Sequence, residues 1–314
     1  MHVVVGVTLR LELPAFLSTA IMTSFSFSCF PFLQLGHPPQ TDISAYTSIF
    51  LPNKSAVNTL KSFAANAKRS SLRASISAHL TSHRHLTSNI TPVKPLKAPK
   101  QHINPALDFW TWSCNALEWA GPDESTDRLK TSHHVLPVFM HHFGCVVPSY
   151  ESLELIRQIA GGKSILDIGS GNGYWTLMLR RHFASMKPEG GEVIAVDSGQ
   201  SVYRTLWISD TVVADGIKWV REDRKGGVED VLLLVYPIVG GDGFTEKVIR
   251  AYKGEIVCVV GTQCRNGYTA FRDKIIGEWM EEEGCWDKVV QVPVPSFAGK
   301  DEALFVFRRT NGVK

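Results

Sequence analysis

With 314 residues, 44% of them hydrophobic and 20% charged, the chain is long enough to bury a sizeable core in one or two domains and too apolar for disorder throughout. A formal net charge of +3 gives no strong field for nucleic acid. The six cysteines (Cys29, Cys114, Cys145, Cys258, Cys264, Cys285) contain no CxxC pair, which argues against a zinc ribbon or a disulfide-dense secreted scaffold and for a reducing compartment, with the cytoplasm as the expected location.

Residues 1–104 read differently from the rest. Up to Thr91 the only acidic residues are Glu12 and Asp42, Ser and Thr are abundant, and no apolar periodicity is sustained. The expectation is a low-complexity, disordered extension outside the core. Between Leu13 and Thr41 no Lys, Arg, Asp or Glu occurs, but Pro14, Pro31 and many hydroxyl residues weaken a membrane span or signal peptide, so no membrane association is expected. The following Lys68, Arg69, Arg73 and Arg84 in an acid-poor setting leave a mitochondrial leader as the alternative.

A globular domain is expected over 105–314. "ALDFWTWSCNALEWAG" carries Trp110, Trp112 and Trp119 and reads as an aromatic helix buried against that domain, with a substrate wall as the competing reading. "HHVLPVFMHHFG" gathers His133, His134, His141 and His142, yet it lacks carboxylate or Cys company and Pro137 interrupts its helical spacing, so no metal site is expected. In "VPSYESLELIRQIAGG", Ser149 is placed to cap a helix that ends at Gly161 and Gly162.

From there short apolar runs alternate with helical patterns. Strands are expected at 164–168, 192–197, 211–215, 231–237 and 255–261, each of the kind buried on both faces of a parallel sheet. Helices follow in "YWTLMLRRHFA", "FTEKVIRAY" and "AFRDKIIGEWMEEEG", the last with Phe271, Ile275 and Trp279 at i, i+4, i+8. After that helix "WDKVVQVPVP" and "EALFVFRR" follow without a helix between them, so a β-hairpin closes the sheet. The fold class is therefore α/β, a doubly wound and mostly parallel sheet with a C-terminal antiparallel strand.

The stretch "SILDIGSGNGYWT" runs from strand through glycines into helix, and three ligand classes compete for it. A phosphate loop fails: "GGKS" at 161–164 has no glycine five residues before Lys163 and enters a strand. A dinucleotide loop is nearer, since Gly169 and Gly171 form GxG and Asp197 ends the next strand, but the third glycine is Gly173, one position too early. Asp167, two residues before Gly169, would also repel a diphosphate and favour a cationic, phosphate-free ligand. S-adenosyl-L-methionine has a sulfonium, an ammonium, ribose hydroxyls and an adenine, which Asp167, Asp197 and Asp215 at three successive strand ends are placed to meet. Each acid has a competing reading as a turn or helix-cap residue.

"ILDIGSGNG", the acid of "VIAVD", the "VVADG" strand and the closing strand pair together resemble the class I S-adenosylmethionine-dependent methyltransferases over roughly residues 145–310. The resemblance implies a Rossmann-like fold, a loop from Gly169 through Ser170, Gly171, Asn172 and Gly173 to Tyr174 beside the methionine part, Asp197 on the ribose and Asp215 at the adenine. "VPSYESLELI", "GYW", the Tyr-Pro of the fourth strand, "AYKGEIVCVVG" and "DEALFVF" resemble a poorly characterised branch of that superfamily, which names no acceptor. Where the branch tends to have two prolines, "VYPIVGG" has Pro237 followed by Ile238, and the acid or amide that amino-group methyltransferases place before their prolines is missing. Nucleic-acid bases are thereby disfavoured as acceptors, and Tyr236 and Pro237 are the candidates on the substrate side. The expectation is methyl transfer to an unidentified small molecule or protein, with no metal; the general base and the oligomeric state stay open. The alternatives are a cofactor-binding interaction module without transfer activity and an NAD-dependent oxidoreductase.

Overall fold

The computed structural model describes residues 37–98, 102–129, 132–186, 190–240 and 242–310. Chain contacts divide the protein at His37, and the part from Pro38 onward is one unit. It begins with three helices, α1 (Gln40–Ser48), α2 (Ala56–Ala65) and α3 (Leu72–Ser82), and the short strand β1 (His85–Leu86). Then come α4 (Pro105–Ala116), α5 (Val135–Phe143) and α6 (Tyr150–Ala160). The alternating part comprises β2 (Ile165–Ile168), α7 (Tyr174–Ser185), β3 (Val193–Asp197), β4 (Val212–Val213), α8 (Gly216–Arg221), β5 (Val231–Val235), α9 (Phe244–Ala251) and β6 (Ile256–Thr262). It closes with α10 (Ile276–Glu283) and the hairpin of β7 (Trp286–Pro293) and β8 (Glu302–Arg309).

One eight-stranded sheet has the order β1-β7-β8-β6-β5-β2-β3-β4. Strands β6, β5, β2, β3 and β4 are mutually parallel, β8 runs antiparallel between β6 and β7, and β1 adds an antiparallel edge to β7. This is a Rossmann-like, doubly wound and mostly parallel sheet, with the terminal hairpin expected from the helix-free end of the sequence. Side chains alternate between its faces with the period of a strand. Ile165, Leu233, Cys258, Val260, Leu304 and Val306 join one core with α1 to α7; Leu166, Leu232, Leu234, Val257, Val259, Phe305 and Phe307 join another with α8 to α10. Both faces are therefore covered, which is why the inner strands read as unbroken apolar runs.

The expectation of a disordered extension up to residue 104 is corrected from Gln40 onward. Ile43, Tyr46, Phe50, Leu60, Phe63, Ile76 and Leu80 are buried in the first core. Ser55 caps α2 by accepting from Asn58 N–H, and Ser71 caps α3 by accepting from Ala74 N–H. Tyr46 and Phe50 meet Trp110 edge-on at ring-centroid distances of 5.6 and 5.3 Å, so the aromatic helix α4 is packed between these helices and the domain. The hydroxyl-rich composition disguised three short helices, two of them capped by serine, that bury only two or three apolar residues each. Residues 1–36, with most of the uncharged run from Leu13, lie outside the described residues; among those described, no helix is long and apolar enough to cross a membrane.

A polar tie fastens α3 to the sheet. His79 Nε2 lies 2.8 Å from Asp301 Oδ2, Gln263 Nε2 donates to Asp301 Oδ1 at 2.6 Å, and Gln291 Nε2 donates to Gln263 Oε1 at 3.1 Å, all buried. Burial alone would lower His79, but the Asp301 carboxylate holds it above its ordinary value.

Two smaller expectations also change. Pro137 does not interrupt its helix, because it stands in the first turn of α5, where a missing N–H costs nothing. The last helix spans only Ile276–Glu283; Phe271 lies outside it but stacks on Trp279 at 5.3 Å, which accounts for the apparent spacing.

Candidate functional site

The chain leaves β2 for β3 and β4 on one side and returns through β5 to β6 on the other, so the strand order reverses between β2 and β5. Ligands of open α/β sheets bind at the carboxyl ends of the strands at such a reversal. Asp167 of β2 is level with Leu233 of β5, which puts Gly169–Gly173 and Tyr236 on the two sides of that crevice.

The glycine loop requires its glycines for backbone reasons. Gly169, Gly171 and Gly173 have φ of +76°, +58° and +76°, the left-handed region that residues with a Cβ avoid. A Cβ on Gly169 would meet no atom within 4 Å, whereas on Gly171 it would strike the Tyr203 hydroxyl at 2.6 Å and on Gly173 the side chain of Ile208. Gly169 is thus the open face of the loop, and the segment around Tyr203 to Ile208 is seated against the rest. Trp207 N–H donates to Asn172 O at 2.9 Å, and Arg204 N–H to His141 O at 2.8 Å.

Asp167 is fully buried on the α7 side of β2. Its Oδ2 accepts from Thr176 Oγ1 at 2.6 Å, while Oδ1 has no partner. Burial pushes this carboxyl up to about 7, against the pull of Thr176. Ser170 Oγ is likewise buried without a partner.

Asp197 ends β3 and fastens the loop. Its Oδ2 accepts from Gly171 N–H at 2.9 Å and its Oδ1 from Gly199 N–H at 2.7 Å. Asp215 caps α8, accepting from Lys218 N–H at 2.8 Å at an exposed position. Asn172 donates to His142 O and accepts from Tyr174 N–H. Tyr174 is buried among Phe143 and Trp207, and its hydroxyl donates to Asn104 Oδ1 at 2.7 Å and accepts from Ala106 N–H at 3.2 Å. The side chain of Tyr174 therefore serves packing. The structure brings Asp167, Gly169–Gly173 and Asp197 together and places Asp215 beyond β4, at the start of the next helix.

Across the crevice Tyr236 follows β5 with φ +52°, a left-handed conformation that is strained for a tyrosine. Its N–H is bonded to Val260 O, and Pro237 O accepts from Ala270 N–H at 2.8 Å. Lys300 Nζ donates to the Tyr236 hydroxyl at 2.5 Å and lies 3.4 Å from the centroid of the Tyr268 ring. Lys300 is 4% exposed and Glu302 2%. Sequence reasoning missed this pair because "SFAGKD" reads as a polar hairpin loop, where charge normally signals solvent. Among the described residues no three His, Cys, Asp or Glu side chains are grouped to hold a metal ion.

No family model and no curated protein matches the chain. Among solved structures it is similar to a methyltransferase of Aquifex aeolicus, at 15% identity over 55% of this chain and 93% of that one, with a TM-score of 0.32. It is also similar to an O-methyltransferase of Bacillus cereus (16% identity, 65% and 100% covered, TM-score 0.35) and to the trans-methyltransferase CalH (12%, 86% and 91%, 0.38). At such values the fold assignment rests on the chain's own strand order.

Proposed function

We propose that the chain binds S-adenosylmethionine across the carboxyl ends of β2 and β3 and transfers its methyl group to an acceptor approaching from the β5 side. The carrying observation is Asp167 Oδ1, a buried and unpaired carboxyl oxygen directly behind a glycine loop whose one open face is Gly169. An unpaired carboxyl at such a place favours a cation and repels a diphosphate. Asp197, pinned by two backbone N–H groups, presents its remaining lone pairs to ribose hydroxyls, and the open backbone at Gly169 admits the methionine part. When bound, S-adenosylmethionine supplies a methyl group on a positively charged sulfur. The protein's part is orientation and exclusion of water: the loop fixes the donor, and the Tyr236 side fixes the acceptor.

Calorimetry of the full chain with S-adenosylhomocysteine and NAD tests the binding half, and transfer of labelled methyl to a cell extract tests the catalytic half. Binding of S-adenosylhomocysteine without transfer to any acceptor supports a cofactor-binding module instead, and preferential binding of NAD refutes the proposal.

A further inference from the structure

The polar groups opposite the glycine loop form a constellation of their own. Lys300, in the turn between β7 and β8, brings its ammonium under the Tyr236 hydroxyl and against the face of Tyr268. Glu302 and Tyr268 beside it each have a polar atom buried without a partner, Oε2 and Oη, as does Asn266, whose Nδ2 is unpaired while its Oδ1 accepts from Tyr268 N–H. Buried polar atoms are almost always paired, because an unpaired one has lost its water without gaining a partner. Several in one place, together with the strained backbone of Tyr236, mark a spot where stability has been given up. The ammonium's direct contacts are an uncharged hydroxyl and a ring face, and the Glu302 carboxyl acts on it through space. Burial raises the Glu302 carboxyl from its ordinary value, against the pull of the Lys300 ammonium. Burial lowers Lys300 from its ordinary value, and the Glu302 carboxyl opposes that only in part. Cys145 and Cys264, which also face this ammonium, have their thiols raised by burial to about 11 and about 12 and remain uncharged. Tyr268, Cys145 and Cys264 are partly exposed and form the rim.

We propose that Lys300 and Tyr236 form an oxyanion-binding site that holds the oxygen of the methyl acceptor, which is a phenol, enol or carboxylic acid and not an amine. The assignment of this oxygen as the acceptor's rests on the proposed methyl transfer; the oxyanion site itself does not. Lys300 donates to Tyr236 Oη, so the tyrosine's own O–H is free to donate to a ligand oxygen, and the ammonium adds a charged donor beside it. A protonated amine would meet the Lys300 ammonium at this spot and be repelled by it.

The test uses 4-nitrophenol as the probe, since its anion and its neutral form absorb differently, with benzylamine as the cationic control. The wild-type chain is expected to bind 4-nitrophenol as the phenolate at a pH where the free probe is partly protonated, and not to bind benzylamine. Lys300→Met is expected to weaken phenolate binding on the order of ten- to a hundredfold and to abolish the spectral shift, as loss of a charge-assisted donor requires. Tyr236→Phe should weaken it about tenfold without abolishing the shift, and it carries the test if Lys300→Met does not fold. Absence of phenolate binding, preference for benzylamine, or equal affinity in wild type and both variants overturns the proposal. Calorimetry with S-adenosylhomocysteine on the same samples separates the two ideas: phenolate binding without cofactor binding removes the methyl-transfer reading and leaves the oxyanion site standing.

Discussion

Replacing Asp167 by Asn should make the protein less sensitive to alkaline pH. The wild-type carboxyl is raised from 3.8 unfolded to about 7 folded, mainly by burial. The sign follows from linkage: between those values the folded state binds the extra proton, so Asp167 weakens the fold increasingly as pH rises from about 4 to 7, and the loss is complete above 7. With about 1.4 kcal/mol per pKa unit, the wild type should lose about 2–3 kcal/mol between pH 5 and pH 8 through this residue alone. Asn has no proton to lose, and its side-chain oxygen can still accept from Thr176. The variant starts with the cost of an unpaired amide in place of Oδ1, so the two proteins are to be compared by the difference between their pH profiles and not at one pH. Urea unfolding of both from pH 5 to pH 8 reads that difference, which should shift by about 2–3 kcal/mol in favour of Asn. Parallel profiles would mean that Asp167 is not buried as a neutral acid.

Three further outcomes follow from the same geometry. Removal of residues 1–98 should leave no cooperatively folded protein, because Ile43, Tyr46, Phe50, Leu60, Phe63, Ile76 and Leu80 go with it at about 1.5–3 kcal/mol each, against a net stability of about 5–15 kcal/mol for a domain; a sharp thermal transition in the truncated chain would contradict the packing described. Asp197→Ala should lose both stability and S-adenosylhomocysteine affinity, since the carboxylate's bond to Gly171 N–H alone is worth about 1.5–3 kcal/mol; unchanged denaturation would show that the loop does not need it. Gly169→Ala and Gly171→Val should fail differently: the first places a methyl in open space and weakens cofactor affinity at a backbone cost of about 1–2 kcal/mol, the second collides with Tyr203 and unfolds first. Identical melting of the two variants would mean that Tyr203 does not lie against the loop.

The sheet was legible because its strands are buried on both faces: "ILDI", "VIAVD" and "VLLLV" need no neighbour to be read, and the missing helix before "EALFVF" announces an antiparallel strand. The left-handed glycines and the strand-end acids were also visible, since glycine adopts those φ values without the strain that a Cβ brings and each acid stands at or near the end of its strand. What the acids bind was not. Within the chain Asp197 accepts from two backbone N–H groups and Asp215 caps α8, partners that the sequence allowed beside the ribose and adenine readings. Tyr174 follows the loop in sequence, yet the first turn of α7 directs its ring into the core. The helices α1 to α3 escaped because Ser and Thr suggest disorder by composition, while Ser55 and Ser71 act here as caps, and the spacings Leu60 to Phe63 and Ile76 to Leu80 are too brief for a periodicity to stand out. Lys300 and Glu302 were hidden for the opposite reason: charge in a hairpin turn signals solvent, and here three consecutive charged residues, Lys300, Asp301 and Glu302, are all buried by distant helices and loops.

The central claim, that the loop after β2 holds a phosphate-free nucleoside ligand with its ammonium against Asp167, is tested most directly by titrating the full chain calorimetrically at pH 6 in two buffers of different ionisation enthalpy. S-adenosylhomocysteine should bind with release of most of one proton, because Asp167, largely protonated at that pH, ionises against the ligand's ammonium. NAD should bind far more weakly or not at all. Binding of NAD as tight as that of S-adenosylhomocysteine, or cofactor binding with no proton released, would contradict the account.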